Sequence, residues 1–93
     1  MSKRKKLLQR IRQNPKNVSF EDLRKLLEGY GFILKRTKGS HNSFVGQVSG
    51  KSETLVVPDK HPLQAVYVKK ALKFIELIEA EILIDEEDAG EDE

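Results

Sequence analysis

The chain has two histidines, His41 and His61, and these are its best candidates for chemistry. Imidazole is the side chain best suited to moving protons near neutral pH. His41 follows Gly39-Ser40, with Lys35, Arg36 and Lys38 just upstream. A titratable imidazole beside Lys and Arg is what phosphodiester chemistry needs. The cations hold the phosphate and stabilise the charge that develops on it. The imidazole takes a proton from the attacking oxygen or gives one to the leaving oxygen. In RNA the attacker can be the neighbouring 2′-OH, which requires no metal. The plainer reading of His41 is a polar residue at a strand end. His61 lies in Val57-Pro58-Asp59-Lys60-His61-Pro62, between a strand end and a helix start. It reads first as a loop or cap residue and second as a phosphate contact at a helix N-terminus.

Other chemistry is thinly supplied. There is no Cys, so disulfides, thiolate metal sites and cysteine nucleophiles are excluded. Two histidines twenty residues apart make a poor zinc set, and no metal site or cofactor is expected. P-loop, GxGxxG, HExxH and GxSxG patterns are absent. Ser40 and His41 are neighbours, and on a strand neighbouring side chains face opposite ways, so they do not form a nucleophile pair. The six aromatic residues are mostly assigned to the core, which leaves no evident base-stacking platform. Lys3-Arg4-Lys5-Lys6 imitates a nuclear localisation tract, a motif of low specificity.

The elements that must position these residues follow from periodicity. Lys3 to Gln13 reads as a short basic helix, with Leu7, Leu8 and Ile11 apolar, broken by Asn14-Pro15. Ser19 is an N-cap with Asp22 three residues on, a shorter-armed capping box, and Val18 and Leu23 suit a hydrophobic staple. Phe20, Leu23, Leu27 and Tyr30 form one stripe of a helix over about Phe20 to Tyr30, closed by Gly31. Three strands follow, over Phe32–Thr37, His41–Val48 and Glu53–Val57, joined by Gly-containing turns. Period two sets Asn42, Phe44, Gly46 and Val48 on one face and His41, Ser43, Val45 and Gln47 on the other. Phe44 must face inward, so His41 faces outward, provided no bulge intervenes. A last helix is expected from Pro62, with Val68, Ala71, Leu72, Ile75, Ile78 and Ile82 as its apolar stripe. The core should hold Phe20, Leu23, Leu27, Phe32 or Ile33, Phe44, Leu55, Leu72 and Ile75.

The expected fold is α+β, an α-β-β-β-α two-layer domain. Its three-stranded antiparallel sheet has helices on one face. Residues 1–17 form a basic N-terminal extension with a short helix, 18–84 the α+β domain, and 85–93 an acidic tail expected to be disordered. Its 93 residues suit a single domain. The net charge of +2 conceals a polarity: residues 1–38 carry +9, residues 39–75 carry +3 and residues 76–93 carry −10. A basic body suggests a polyanionic partner; a self-compensating solvated surface is the alternative. No apolar run is long enough for a membrane-spanning helix, and the N-terminus lacks a signal-peptide core. No membrane association and a cytoplasmic location are therefore expected.

One ordered set of motifs runs through most of the chain. Asn14-Pro15-Lys16-Asn17-Val18-Ser19-Phe20 leads into Leu23 to Leu27 and Gly31-Phe32. Lys38-Gly39-Ser40-His41-Asn42-Ser43-Phe44, Val56-Val57-Pro58 and Val66-Tyr67-Val68-Lys69-Lys70-Ala71-Leu72 follow. This run, from about Asn14 to Ile78, resembles the HicA family of bacterial mRNA interferase toxins. The resemblance implies a fold similar to double-stranded-RNA-binding domains and metal-independent cleavage of mRNA. It places the family histidine on His41, with Gly39 and Ser40 as the turn that presents it. It also implies a HicB-type antitoxin that covers the histidine. On this reading Lys35, Arg36, Lys38, Lys60 and His61 join Gly39 and Ser40 in contacting RNA. The rival reading is a non-catalytic RNA-binding or protein-interaction module on the same fold.

Overall fold

The computed structural model describes residues 3–60 and 62–91, with side chains described as far as Glu81. The order is α1 (Lys3–Gln13), α2 (Phe20–Gly29), β1 (Ile33–Lys38), β2 (His41–Val48), β3 (Lys51–Pro58) and α3 (Ala65–Glu91). The strands form one antiparallel sheet in the order β1-β2-β3, so β1 and β3 are its edges. The core lies between the sheet's inner face and the helices. Phe44, Leu55 and Val57 from the sheet meet Leu23, Leu26 and Leu27 of α2 and Val68, Ala71 and Ile75 of α3. The α+β, α-β-β-β-α architecture read from the sequence is the one observed.

The start and end of α2 show how local chemistry sets the frame. The Ser19 hydroxyl accepts the Asp22 N–H at 3.1 Å, satisfying a donor the first turn leaves unpaired. The reciprocal arm expected of Asp22 is not made; Arg10 takes its carboxylate at 2.9 Å. Val18 and Leu23 are both buried, as a staple requires. At the other end Tyr30 is the cap rather than a helical residue. The Phe32 N–H reaches the Leu27 carbonyl and the Gly31 N–H reaches Glu28, the double closure of a Schellman motif. Phe32 is thereby turned into the core and Ile33 out to solvent, which settles the alternative between them.

β2 alternates as period two requires. Asn42, Phe44, Gly46 and Val48 are buried, and His41 is exposed. A bulge does occur, but in β1 between Leu34 and Arg36, while the β2–β3 register runs unbroken. Gly46 has a packing reason for lacking a side chain: a Cβ there would stand 2.6 Å from the Phe32 ring. Phe20 and Leu72 pack against the core only partly buried, whereas the other expected core residues are buried.

Several element boundaries shift from expectation. α3 begins at Ala65, not Pro62. Leu63 is buried and its N–H is held by the Val18 carbonyl at 3.0 Å, so this stretch is tied to the α2 entrance before the helix can start. α1 also shares the common core, with Leu8 and Ile11 buried. The backbone of α3 is described as far as Glu91; Asp92 and Glu93 lie outside the described residues.

An aromatic and ionic clip joins the three helices. The Arg4 guanidinium sits 4.5 Å from the Tyr30 ring centroid and donates to the Gly29 carbonyl at 3.0 Å, at the negative end of α2. The Tyr30 hydroxyl donates to Glu79 of α3. Burial, and then the hydrogen bond to Glu79 and its charge, push the Tyr30 phenol up to about 12.

Candidate functional site

His41 opens β2 immediately after the turn at Gly39-Ser40. Gly39 takes φ +61°, a conformation that disfavours a side chain, so the chain reverses tightly there. The turn is pinned from both sides. The Asp59 N–H donates to the Ser40 carbonyl at 2.6 Å, tying the turn to the end of β3. Beside His41, Asn42 points inward and is buried. Its amide donates to the Ser40 and Val57 carbonyls at 3.4 and 3.3 Å, and its oxygen accepts the Thr37 hydroxyl at 2.9 Å. One residue of the pair is thus locked, and its neighbour is held out in a fixed place.

Register decides which cations share His41's face. Residues directly opposite on antiparallel strands point to the same side. Lys38 pairs with His41 and Arg36 with Ser43, so both lie on the outer face with the imidazole. Lys35 falls in the β1 bulge, out of the paired register. Lys60 meets His41 from the other side. It lines a hollow of about 220 Å³ with Ser40, His41, Pro58, Gln64 and Tyr67, at the N-terminus of α3. The free N–H groups and dipole of that terminus favour an anion. His61 lies outside the described residues. The structure thus brings Gly39, Ser40, Lys38 and Lys60 around His41; Arg36 stands farther along β1, and Lys35 is set apart by the bulge.

A larger groove of about 480 Å³ runs from His41 between β3 and α3. Thr54, Leu55 and Val56 form one wall, and Tyr67, Lys70, Lys73 and Phe74 the other. Tyr67, Lys70 and Phe74 are spaced i, i+3, i+7 on one face of α3. Phe74 is stacked on Phe32, with centroids 6.0 Å apart, so it anchors the wall. Tyr67 is half-buried and lines both the groove and the smaller hollow. Neither Tyr67 nor Phe74 belongs to the core or the apolar stripe expected from the sequence, and Lys70 and Lys73 carry no expected role there. Helical spacing could have found them, since 67, 70 and 74 flank the buried stripe at Val68, Ala71 and Ile75. Among the described residues, Lys38, Lys60, Lys70 and Lys73 enter no ion pair. No cluster of three or more His, Asp or Glu able to hold a metal occurs among them, and no described helix is long and apolar enough to cross a membrane.

The geometry defines a small α+β domain with an exposed histidine at the mouth of a basic, aromatic-walled groove. The family model described as the HicA toxin of bacterial toxin–antitoxin systems matches residues 20–77, well over half of the chain, and the chain belongs to that family. No curated protein and no solved structure gives a match.

Proposed function

We propose that this HicA-family toxin is an endoribonuclease that cleaves mRNA, with His41 as its general acid or base. The observation that carries the reading is the exposed imidazole at a pinned turn, flanked by Lys38 and Lys60, which no described acid pairs. A bound RNA strand sets one phosphate against Lys38, Lys60 and the α3 N-terminus. These groups oppose the charge that builds on the phosphoryl oxygens. The neighbouring 2′ oxygen attacks phosphorus, the bond to the 5′ oxygen breaks, and the 5′ oxygen leaves with a proton. His41 takes the proton from the 2′-OH or supplies the one on the leaving oxygen, a role generally worth about 10²–10⁴-fold in rate. The groups named in this step require no metal. Arg36 and Lys35 add longer-range attraction along β1, and His61 is an additional phosphate contact. A HicB-type antitoxin is the partner that keeps His41 covered, and the cytoplasm, where mRNA is met, is the site of action.

The test is cleavage of an end-labelled mRNA by the purified chain in EDTA. We expect cleavage that persists with the chelator and stops at any nucleotide carrying a 2′-deoxy sugar. Protein that binds the RNA without cutting it would instead identify a non-catalytic binding module.

A further inference from the structure

The groove between β3 and α3 is larger than a single phosphate needs, and its walls are of a particular kind. Tyr67 offers a half-buried ring beside Phe74 and Leu55, while the exposed Lys70 and Lys73 stand at the rim. Aromatic faces inside a cationic channel are the recurring means of holding unpaired bases, because every base has a face to stack and every linkage a charge to neutralise. β3 is an edge strand, so alternate backbone N–H and C=O groups along this wall have no strand partner and are open to a base edge. A double helix cannot use such a groove: its bases are stacked inward, and its recognition proceeds through backbone and shape.

We propose that this groove is a subsite for one unpaired nucleotide of single-stranded RNA. Its base stacks on Tyr67, and its flanking phosphates lie on Lys70 and Lys73. Because His41 lines both the groove and the hollow at the α3 N-terminus, the nucleotide held here adjoins the phosphate placed for cleavage. Tyr67 is then a positioning residue. It sets which linkage meets His41 and restricts the enzyme to unpaired segments, although its fold is of a duplex-binding kind. The inference rests on the RNA-cleavage reading, yet binding tests it apart from cleavage.

The experiment measures affinity for a short fluorescent RNA with 2′-O-methyl sugars, which cannot supply the attacking oxygen. The same sequence annealed to its complement is the second ligand. Tyr67→Leu keeps an apolar side chain against the helix and removes the ring; Tyr67→Phe keeps the ring. We expect Tyr67→Leu to weaken single-strand binding roughly five- to a hundredfold, Tyr67→Phe to bind like wild type, and duplex binding to be weaker and indifferent to both changes. Lys70→Gln and Lys73→Gln should each reduce the logarithmic salt slope by about 0.7. Single-strand affinity unchanged in Tyr67→Leu at wild-type Tm overturns the proposal, whether or not the wild type cuts RNA, and would leave the groove to a protein partner. Loss of affinity in Tyr67→Leu with a wild type that never cuts upholds the groove and removes the nuclease reading instead.

Discussion

Cationic side chains do different work in two parts of this molecule. Around α1 and α2 three arginines are taken up by the fold. Arg4 lies over Tyr30 and holds the Gly29 carbonyl, Arg10 pairs with Asp22, and Arg24 pairs with Glu28 at 3.3 Å. Around His41, Lys38, Lys60, Lys70 and Lys73 have no acidic partner among the described residues. The net charge treats these groups alike, yet Arg4, Arg10 and Arg24 are engaged within the fold and the second set is free of acidic partners among the described residues. A cation count therefore overstates the nucleic-acid-binding surface, and the family match to residues 20–77 includes the second set while leaving out Arg4 and Arg10.

This contrast requires that substitutions on the inner side move stability and those at the groove move RNA binding. The largest stability effect belongs to the inner face of β2. Phe44→Ala should cost about 3–5 kcal/mol, enough to unfold much of a small domain, as chemical denaturation would show. A cost under about 1 kcal/mol would mean that the inner face is misassigned.

Next comes Asn42→Ala, which removes the amide that ties the His41 turn to β3. A loss of about 1–3 kcal/mol is expected in the same measurement, because the buried Val57 carbonyl loses a donor. The clip should respond somewhat less. Tyr30→Phe removes the bond to Glu79 and should cost about 1–2 kcal/mol. Its pH dependence has a definite sign. The fold raises the Tyr30 pKa from its ordinary 10.0 to about 12, so the neutral phenol is favoured in the native state. That stability is full below pH 10 and is lost as pH rises through about 12. Ultraviolet titration should find a phenol ionising near 12 that vanishes in Tyr30→Phe. The smallest stability effects belong to the groove. Lys60→Gln, Lys70→Gln and Lys73→Gln should each leave unfolding within about 0.5 kcal/mol of wild type. A larger loss at any of them would place that lysine with the structural set.

Much of this was legible in the sequence because it is local. The Ser19 cap, the Gly31 closure and the alternation of β2 each rest on a few neighbouring residues, and so the outward placement of His41 followed from Phe44. What was not legible depends on partners distant in the chain. Arg4 meets Tyr30 across 26 positions, and nothing in Lys3-Arg4-Lys5-Lys6 marks Arg4 for that contact. The start of α3 shifted because Leu63 is tied to Val18. Tyr67 became a groove residue only once α3 was packed beside β3. The bulge that sets Lys35 apart depends on pairing, which a single strand does not display.

The central claim is that His41 is held for chemistry and not for stability, while Arg4 is the reverse. Cleavage rate and Tm, measured on the same preparations of wild type, His41→Ala and Arg4→Ala, test it most directly. A crossed result is expected. His41→Ala should lose about 10²–10⁴-fold in cleavage with unfolding within about 0.5 kcal/mol of wild type, and Arg4→Ala should lower the Tm while its folded fraction cleaves normally. Folded His41→Ala that cuts RNA at the wild-type rate would contradict the claim.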